Sequence, residues 1–295
     1  MTAPLFYAMP GNEDMAARLA LHLKSEVGIL ETRNFPDGET YLKFVTSPQG
    51  RSIAIVCTLD DANRKILPLL FAAVTARELG ATRVGLIAPY LAYMRQDKRF
   101  NAGEAVSSRP FARLLSGMVD WLVTVDPHLH RYAALGEIYS IPSRTVHAAP
   151  LVSQWITSNV ADPVIVGPDS ESEQWVSAVA LAAAAPFTVL EKVRHGDRKV
   201  DISLRHPERL RGKTPVLLDD IIASGVTMLE AVKLVRTMTA AAPVCVGVHG
   251  LFADASDRLL STEGARVVTS NTVPHASNMI DVSPLLADAV RELLG

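Results

Sequence analysis

The segment Pro215-Val-Leu-Leu-Asp-Asp-Ile-Ile-Ala-Ser-Gly-Val-Thr227 concentrates more potential chemistry than any other part of the chain. An apolar run leads into two adjacent carboxylates, Asp219 and Asp220. A loop of small residues follows from Ala223 through Ser224, Gly225 and Val226 to Thr227, and then an amphipathic run from Met228 to Met238. This order predicts a strand, an acidic edge, an anion-sized loop and a helix. Thr227 and Glu230 have the spacing of a capping box, which places the expected helix start at Thr227. Backbone N–H groups at a helix start carry partial positive charge and hold phosphate, whereas carboxylates accept hydrogen bonds from hydroxyls. Phosphate on one side and a diol on the other describe a ribose 5-phosphate. A Walker A loop does not account for the pattern. Gly212-Lys213-Thr214 resembles its tail, but Pro207 stands where its first glycine belongs, and the tripeptide precedes a strand instead of following one.

Such groups need a scaffold, and short apolar runs alternate with helical stretches throughout. Strands are expected at 5–9, 41–45, 53–57, 83–88, 121–125, 163–166, 187–190, 216–218, 244–248 and 266–269, and helices at 61–79, 108–118, 173–184, 228–238 and 255–260. Alternation of this kind predicts an α/β protein built on mainly parallel sheets flanked by helices. Ligands of such folds gather at the carboxyl ends of the strands. Polar groups follow five of the expected strands there: Arg95-Gln96-Asp97, Asp126-Pro-His128, Asp169, Glu191-Lys192-Val-Arg194 and the Asp219–Asp220 pair. A boundary near Ile141-Pro142-Ser143 divides the chain into two expected domains, 1–142 and 143–295. The polar, basic stretch 193–212 exceeds an ordinary connection and reads as a functional flap or a disordered segment.

The 295 residues are 48% hydrophobic and 20% charged, as in a soluble globular protein. A formal charge of −2 gives no general pull toward nucleic acid or membrane. There is no apolar run of about 18 residues and no basic leader, so neither a span nor a signal peptide is expected. Cys57 and Cys245 sit inside apolar strand-like runs and are expected to be buried and reduced, in keeping with a cytoplasmic address. His128 and His130, two apart, have the spacing of a transition-metal pair, but no further cysteine or histidine spacing accompanies them.

Five motifs in order, Asn34-Phe-Pro-Asp-Gly-Glu39, Tyr93-Met-Arg-Gln-Asp-Lys-Arg-Phe100, Asp126-Pro-His128, Glu191-Lys-Val-Arg194 and Asp219–Thr227, make the chain similar to the ribose-phosphate diphosphokinase (phosphoribosyl pyrophosphate synthetase) family almost end to end. The stretch Gly167-Pro-Asp-Ser-Glu-Ser-Glu-Gln-Trp175 lacks the Gly-Gly of the commoner forms and resembles the shorter archaeal-type branch. The resemblance implies two phosphoribosyltransferase-type domains, an N-terminal one on the ATP side and a C-terminal one on the ribose 5-phosphate side, with the last ~15 residues packing back on the first. It implies transfer of the β,γ-diphosphate of ATP to ribose 5-phosphate, with Mg2+ as cofactor, in a homo-oligomer (a dimer-based tetramer or hexamer).

By the same resemblance Phe35, Asp37, Gly38, Glu39, Arg95, Gln96 and Asp97 bind ATP, and Lys192 and Arg194 meet the reacting phosphates. His128 and Asp169 bear on the metal. Asp219, Asp220, Ala223, Ser224, Gly225, Val226 and Thr227 hold ribose 5-phosphate. The loop departs from the commoner family pattern at Ala223, Ser224 and Val226; Ser224 keeps a hydroxyl, whereas Val226 brings a β-branched side chain to a loop that phosphate must approach closely. Two alternatives stand beside this reading. One is a phosphoribosyltransferase, which shares the 219–227 loop but has no use for the first half's motifs. The other is a catalytically silent, nucleotide-binding regulatory homologue.

Overall fold

Four strands of the first half, β1 (Leu5–Ala8), β5 (Ser52–Val56), β6 (Arg83–Ala88) and β7 (Trp121–Val125), are buried along almost their whole length. Unbroken apolar runs of this kind suit parallel strands covered on both faces. In the computed structural model, which describes residues 3–99, 101–169, 172–195 and 199–294 and only the backbone of 192–195 and 199–202, they form the centre of a six-stranded parallel sheet. Its order is β2-β1-β5-β6-β7-β8, with β2 at Val27–Gly28 and β8 at Ser143–Val146. Helices α1 (Glu13–Leu23), α2 (Ala62–Glu78) and α3 (Ser108–Met118) lie between the strands in sequence. A separate antiparallel hairpin is made by β3 (Leu30–Asn34) and β4 (Thr40–Phe44). Its root is tied down where the Tyr7 ring meets Phe44 edge-on at 4.8 Å and the Tyr7 hydroxyl donates to the Thr46 carbonyl.

Close packing between β6 and β7 depends on one small residue. Gly85 lies opposite Trp121, and a methyl group on Gly85 would stand 1.9 Å from the fully buried indole. We therefore expect Gly85→Ala to cost about 1–3 kcal/mol or more through overpacking. A urea midpoint equal to that of the unsubstituted protein would show that the ring can yield.

The chain divides into two compact units. The first takes the residues up to His147, Thr272–Pro274 and the chain from Val282 on; the second takes Ala148–Asn271 and His275–Asp281. The expected boundary after Pro142 thus lies at His147 instead, because β8 pairs with β7 and completes the first sheet. The C-terminal helix α8 (Ser283–Leu294) also belongs to the first unit. Arg291 donates to the His22 carbonyl of α1 at 2.7 Å, and Arg144 of β8 faces Glu292 at 3.7 Å. Residue 272 is held by Thr58, whose hydroxyl donates to the Thr272 carbonyl at 2.6 Å.

The second unit carries a seven-stranded sheet in the order β11-β10-β9-β12-β13-β14-β15. It comprises α4 (Ala149–Asn159), β9 (Pro163–Gly167), α5 (Glu173–Ala182), β10 (Phe187–His195), β11 (Lys199–Leu204), β12 (Thr214–Ile222), α6 (Val226–Arg236), β13 (Val244–Gly250), α7 (Ser256–Thr262), β14 (Arg266–Ser270) and β15 (Asn278–Ile280). All neighbours are parallel except β11, which turns back antiparallel along β10. Val166, Leu217, Ile222, Met228, Val232 and Cys245 belong to one buried cluster of its core. Within the stretch 193–212, residues 193–195 and 199–204 therefore form a β-hairpin arm and Pro207–Leu210 a short 3-10 helix, while residues 196–198 lie outside the described residues.

Candidate functional site

Asp219 and Asp220 do not stand beyond a strand end as expected; β12 continues through them to Ile222. The reason is pairing. Asp219 is opposite Gly247 and Ile222 opposite Gly250, so β13 holds the chain extended past the carboxylates. Both carboxylates are half-buried. Burial, then the charge of Asp220, then a hydrogen bond between the two side chains push the Asp219 carboxyl well above the usual range, to about 8, and Asp169 adds to the same field. Asp169 follows β9, the strand next to β12, and its carboxylate accepts from the Ser172 N–H at 2.9 Å. A pair that retains one proton near neutral pH offers both a donor and an acceptor, which suits adjacent hydroxyls.

The sign of the resulting pH effect follows from linkage. With the folded-state pKa above the ordinary 3.8, the folded protein keeps a proton that the unfolded chain releases. The stabilisation from Asp219 is complete in acid and is lost as pH rises through about 8. We expect Asp219→Asn to flatten the fall of Tm across that interval and to raise Tm at its alkaline end. Calorimetry over the range checks this, and an unaltered profile would remove the crowding of the pair.

After Ile222 the chain makes the small-residue loop. Helix α6 begins at Val226, two residues earlier than a capping box with Thr227 as N-cap predicts, and Gly225 is its N-cap with no side-chain capping bond. Gly225 takes φ 67°, ψ 1°, a left-handed conformation that glycine adopts without a Cβ penalty. Once the backbone has turned there, the helix starts without Thr227 as its cap. Thr227 therefore lies inside the first turn, where backbone N–H groups lack intrahelical partners. Ser224 and Val226 are exposed, Val226 at 61%. The β-branched side chain of Val226 therefore points away from the packed interior.

The back of the loop is braced by a segment that sequence reasoning missed. The Ala223 carbonyl accepts from the Ala253 N–H at 2.9 Å and from the Ser256 hydroxyl at 3.4 Å. A methyl on Gly225 would stand 2.6 Å from the Ser256 Cβ. Arg205 was also missed. Its guanidinium reaches Glu191 at 2.7 Å and both oxygens of Glu173 at 3.0 Å, and these hydrogen bonds keep it more firmly charged. It anchors the root of the β10–β11 arm to the start of α5. No local pattern marks either group, because their partners lie 14 to 33 residues away. Lys192 and Arg194 stand on β10 opposite Ile202 and Val200, and their side chains lie outside the described residues.

In the first unit, the loops after the adjacent strands β6 and β7 come together. Asp97 is buried and faces Arg131 at 3.4 Å, so this carboxylate serves as a tie between the loops. The Gln96 side-chain oxygen accepts from the Ser107 hydroxyl, and Arg95 is exposed. Tyr93, two residues earlier, takes φ 63° and stacks on Phe111 at 4.6 Å. Beyond β7, His128 and His130 meet edge-on at 4.1 Å, and Asp126 holds His147 at 2.8 Å, an interaction that raises the imidazole pKa. Phe35, Asp37, Gly38 and Glu39 occupy the tip of the β3–β4 hairpin. The Phe35 N–H donates to the Glu39 carbonyl at 2.8 Å, and Gly38 turns at φ 92°. Arg33 lies over both the Phe35 and Tyr41 rings, at 4.7 and 4.2 Å.

Among the described residues no three His, Cys, Asp or Glu side chains gather into a metal-ligating set. Both cysteines are unpaired and buried, and burial pushes the Cys57 thiol up to about 12. No described helix is long and apolar enough to cross a membrane.

Two α/β units, one with an acidic strand running into a glycine-turned loop and helix start, define a two-domain protein of the phosphoribosyltransferase class. Residues 5–118 match the N-terminal domain of ribose phosphate pyrophosphokinase, and residues 134–285 match the phosphoribosyl transferase domain. The chain belongs to the ribose-phosphate pyrophosphokinase family. Relatives of that name include those of Methanopyrus kandleri, 33% identical over 95% of this chain and 96% of that one, and Halobacterium salinarum, 31% identical over 95% and 98%. The solved phosphoribosylpyrophosphate synthetase from Mycobacterium smegmatis superposes with a TM-score of 0.84 at 26% identity, covering 98% of both chains.

Proposed function

We propose that this chain transfers the β,γ-diphosphate of ATP to the C1 hydroxyl of D-ribose 5-phosphate, giving 5-phosphoribosyl 1-diphosphate and AMP. The C1 oxygen attacks the β-phosphorus, the bond from that phosphorus to the oxygen bridging the α-phosphate breaks, and the hydroxyl proton is released. The observation that carries the reading is the Asp219–Asp220 pair joined to the 223–227 loop in a chain whose other half matches the N-terminal domain of this family.

The pair takes the sugar hydroxyls, and the start of α6 takes the 5-phosphate through backbone N–H groups. Phe35, Asp37, Gly38 and Glu39 take the adenine side of ATP. Arg95 faces its phosphates, while Gln96 and Asp97 shape that loop, Asp97 through Arg131. Lys192 and Arg194 neutralise charge on the transferred group. Asp169, after β9, and the Asp219–Asp220 pair, on the neighbouring β12, offer hard carboxylate oxygens, the donor type that suits Mg2+. Asp169, a hard oxygen donor, and His128, a softer nitrogen donor, are the residues that would bear on the ion. The ion's contribution is to draw charge off the phosphate oxygens.

Helix α2 exposes Leu67, Phe71 and Val74 at spacings of four and three, an apolar face that supports self-association into the proposed dimer-based tetramer or hexamer. The two buried thiols support a cytoplasmic address. Incubation with ATP, magnesium and ribose 5-phosphate, following AMP and the diphosphate ester together, tests the activity. Equal yields of both are expected. ADP would indicate an ordinary kinase, and neither product despite ATP binding would indicate a silent homologue. Light scattering on the eluted protein tests the assembly, and a monomer mass would refute it.

A further inference from the structure

The loop from Ala223 to Thr227 has no side-chain cap, so its shape is set from behind by residues 251–256. Leu251 and Phe252 donate their N–H groups to the Ile222 carbonyl at 2.9 and 3.2 Å, Ala253 donates to Ala223 at 2.9 Å, and Ser256 blocks Gly225. That bracing turn is itself strained. Phe252, Asp254 and Ala255 all take left-handed φ, at 46°, 56° and 56°, and none is glycine. Residues held so persist only where their surroundings over-determine them.

One side chain touches both ends of the turn. The His275 ring lies against the Phe252 ring at 4.4 Å, and its Nε2 faces Asp257 Oδ2 at 3.6 Å. The imidazole is fixed from its other side. The Ser277 N–H donates to His275 Nδ1 at 3.1 Å, which leaves the ring proton on Nε2 toward Asp257. The Ser277 hydroxyl sits 2.8 Å from Nδ1 and 2.7 Å from the Thr269 hydroxyl of β14. His275 is thereby referenced to the sheet while it spans residues 252 and 257.

We infer that His275 is a positioning residue for sugar-phosphate binding, a clasp that holds the strained 252–257 turn and through it the backbone N–H groups of the 223–227 loop. The inference rests on the reading that this loop holds the 5-phosphate. Loss of the clasp lets the turn relax and moves the anion site by a fraction of an ångström, which weakens binding of ribose 5-phosphate and leaves the ATP side untouched.

The test is steady-state kinetics of His275→Ala with each substrate varied in turn. KM for ribose 5-phosphate should rise roughly fivefold to twentyfold, with kcat and KM for ATP within about twofold of the unsubstituted protein. An unchanged KM for ribose 5-phosphate overturns the inference. So does an equal rise in KM for ATP, which would mark a general disturbance of the protein. Should His275→Ala fail to fold, Phe252→Leu, which keeps apolar packing and removes the ring contact, is judged on the same criteria. Gly225→Ala serves as reference. If it too leaves KM for ribose 5-phosphate unmoved, the sugar-phosphate reading of the loop fails; if it raises KM and His275→Ala does not, only the clasp fails.

Discussion

Lys192→Ala should lower kcat by on the order of 10²-fold or more while changing ATP affinity only a few-fold, as for a lost charge that acts chiefly in the transition state. Two polyanionic substrates repel one another, and transfer of a diphosphoryl group asks for alignment and neutralisation more than for covalent help. Lysine brings a compact ammonium on a flexible stem, and Arg194, two residues on, brings a planar fork. The structure contributes the footing. Glu191, immediately before Lys192, is clamped by Arg205, which also grips Glu173 at the start of α5, so the arm leaves the sheet from a fixed root. Single-turnover measurement of AMP release at saturating substrates checks the effect on the chemical step. Undiminished turnover would take the lysine out of the mechanism.

Gly225→Ala should raise KM for ribose 5-phosphate by about tenfold or more, since small displacements of a phosphate site are costly. It should also cost stability of roughly 1–3 kcal/mol. Two separate penalties meet at this residue. Its φ of 67° is disfavoured for any side chain, and the added methyl would stand 2.6 Å from the Ser256 Cβ. The loop must either flatten or push Ser256 back, and both responses move the first N–H groups of α6. A companion Ser256→Gly change relieves the steric part alone, so the double variant should recover some affinity but not all. Titration with ribose 5-phosphate and a thermal melt measure the two effects. Wild-type affinity in Gly225→Ala would show that the phosphate does not depend on this turn.

Much of the fold was legible because central parallel strands announce themselves locally. The runs at 83–88 and 121–125 coincide with β6 and β7, and 108–118 coincides with α3. Elements without such runs were missed. β2 is two residues long, β3 has a single apolar residue, Leu30, and β11 alternates polar and apolar residues; the last two lie in hairpins whose pairing supplies their order. Helices α1 and α8 had a readable signal, Met15, Ala16, Leu19 and Ala20 in one and Leu286, Ala287, Val290 and Leu294 in the other, at helical spacing.

The same division holds for the site. The chain's own order of residues determined that a carboxylate pair is followed by a glycine-bearing loop and a helix, because those are properties of adjacent residues and their backbone preferences. Only the tertiary structure decided that β12 runs through the pair, that Asp219 is crowded enough to keep its proton, and that α6 starts at Val226. It likewise decided that Ala253 and Ser256 brace the loop and that His275 meets Phe252 and Asp257. Each of these depends on burial or on a partner distant along the chain, and neither is encoded within a window of neighbouring residues.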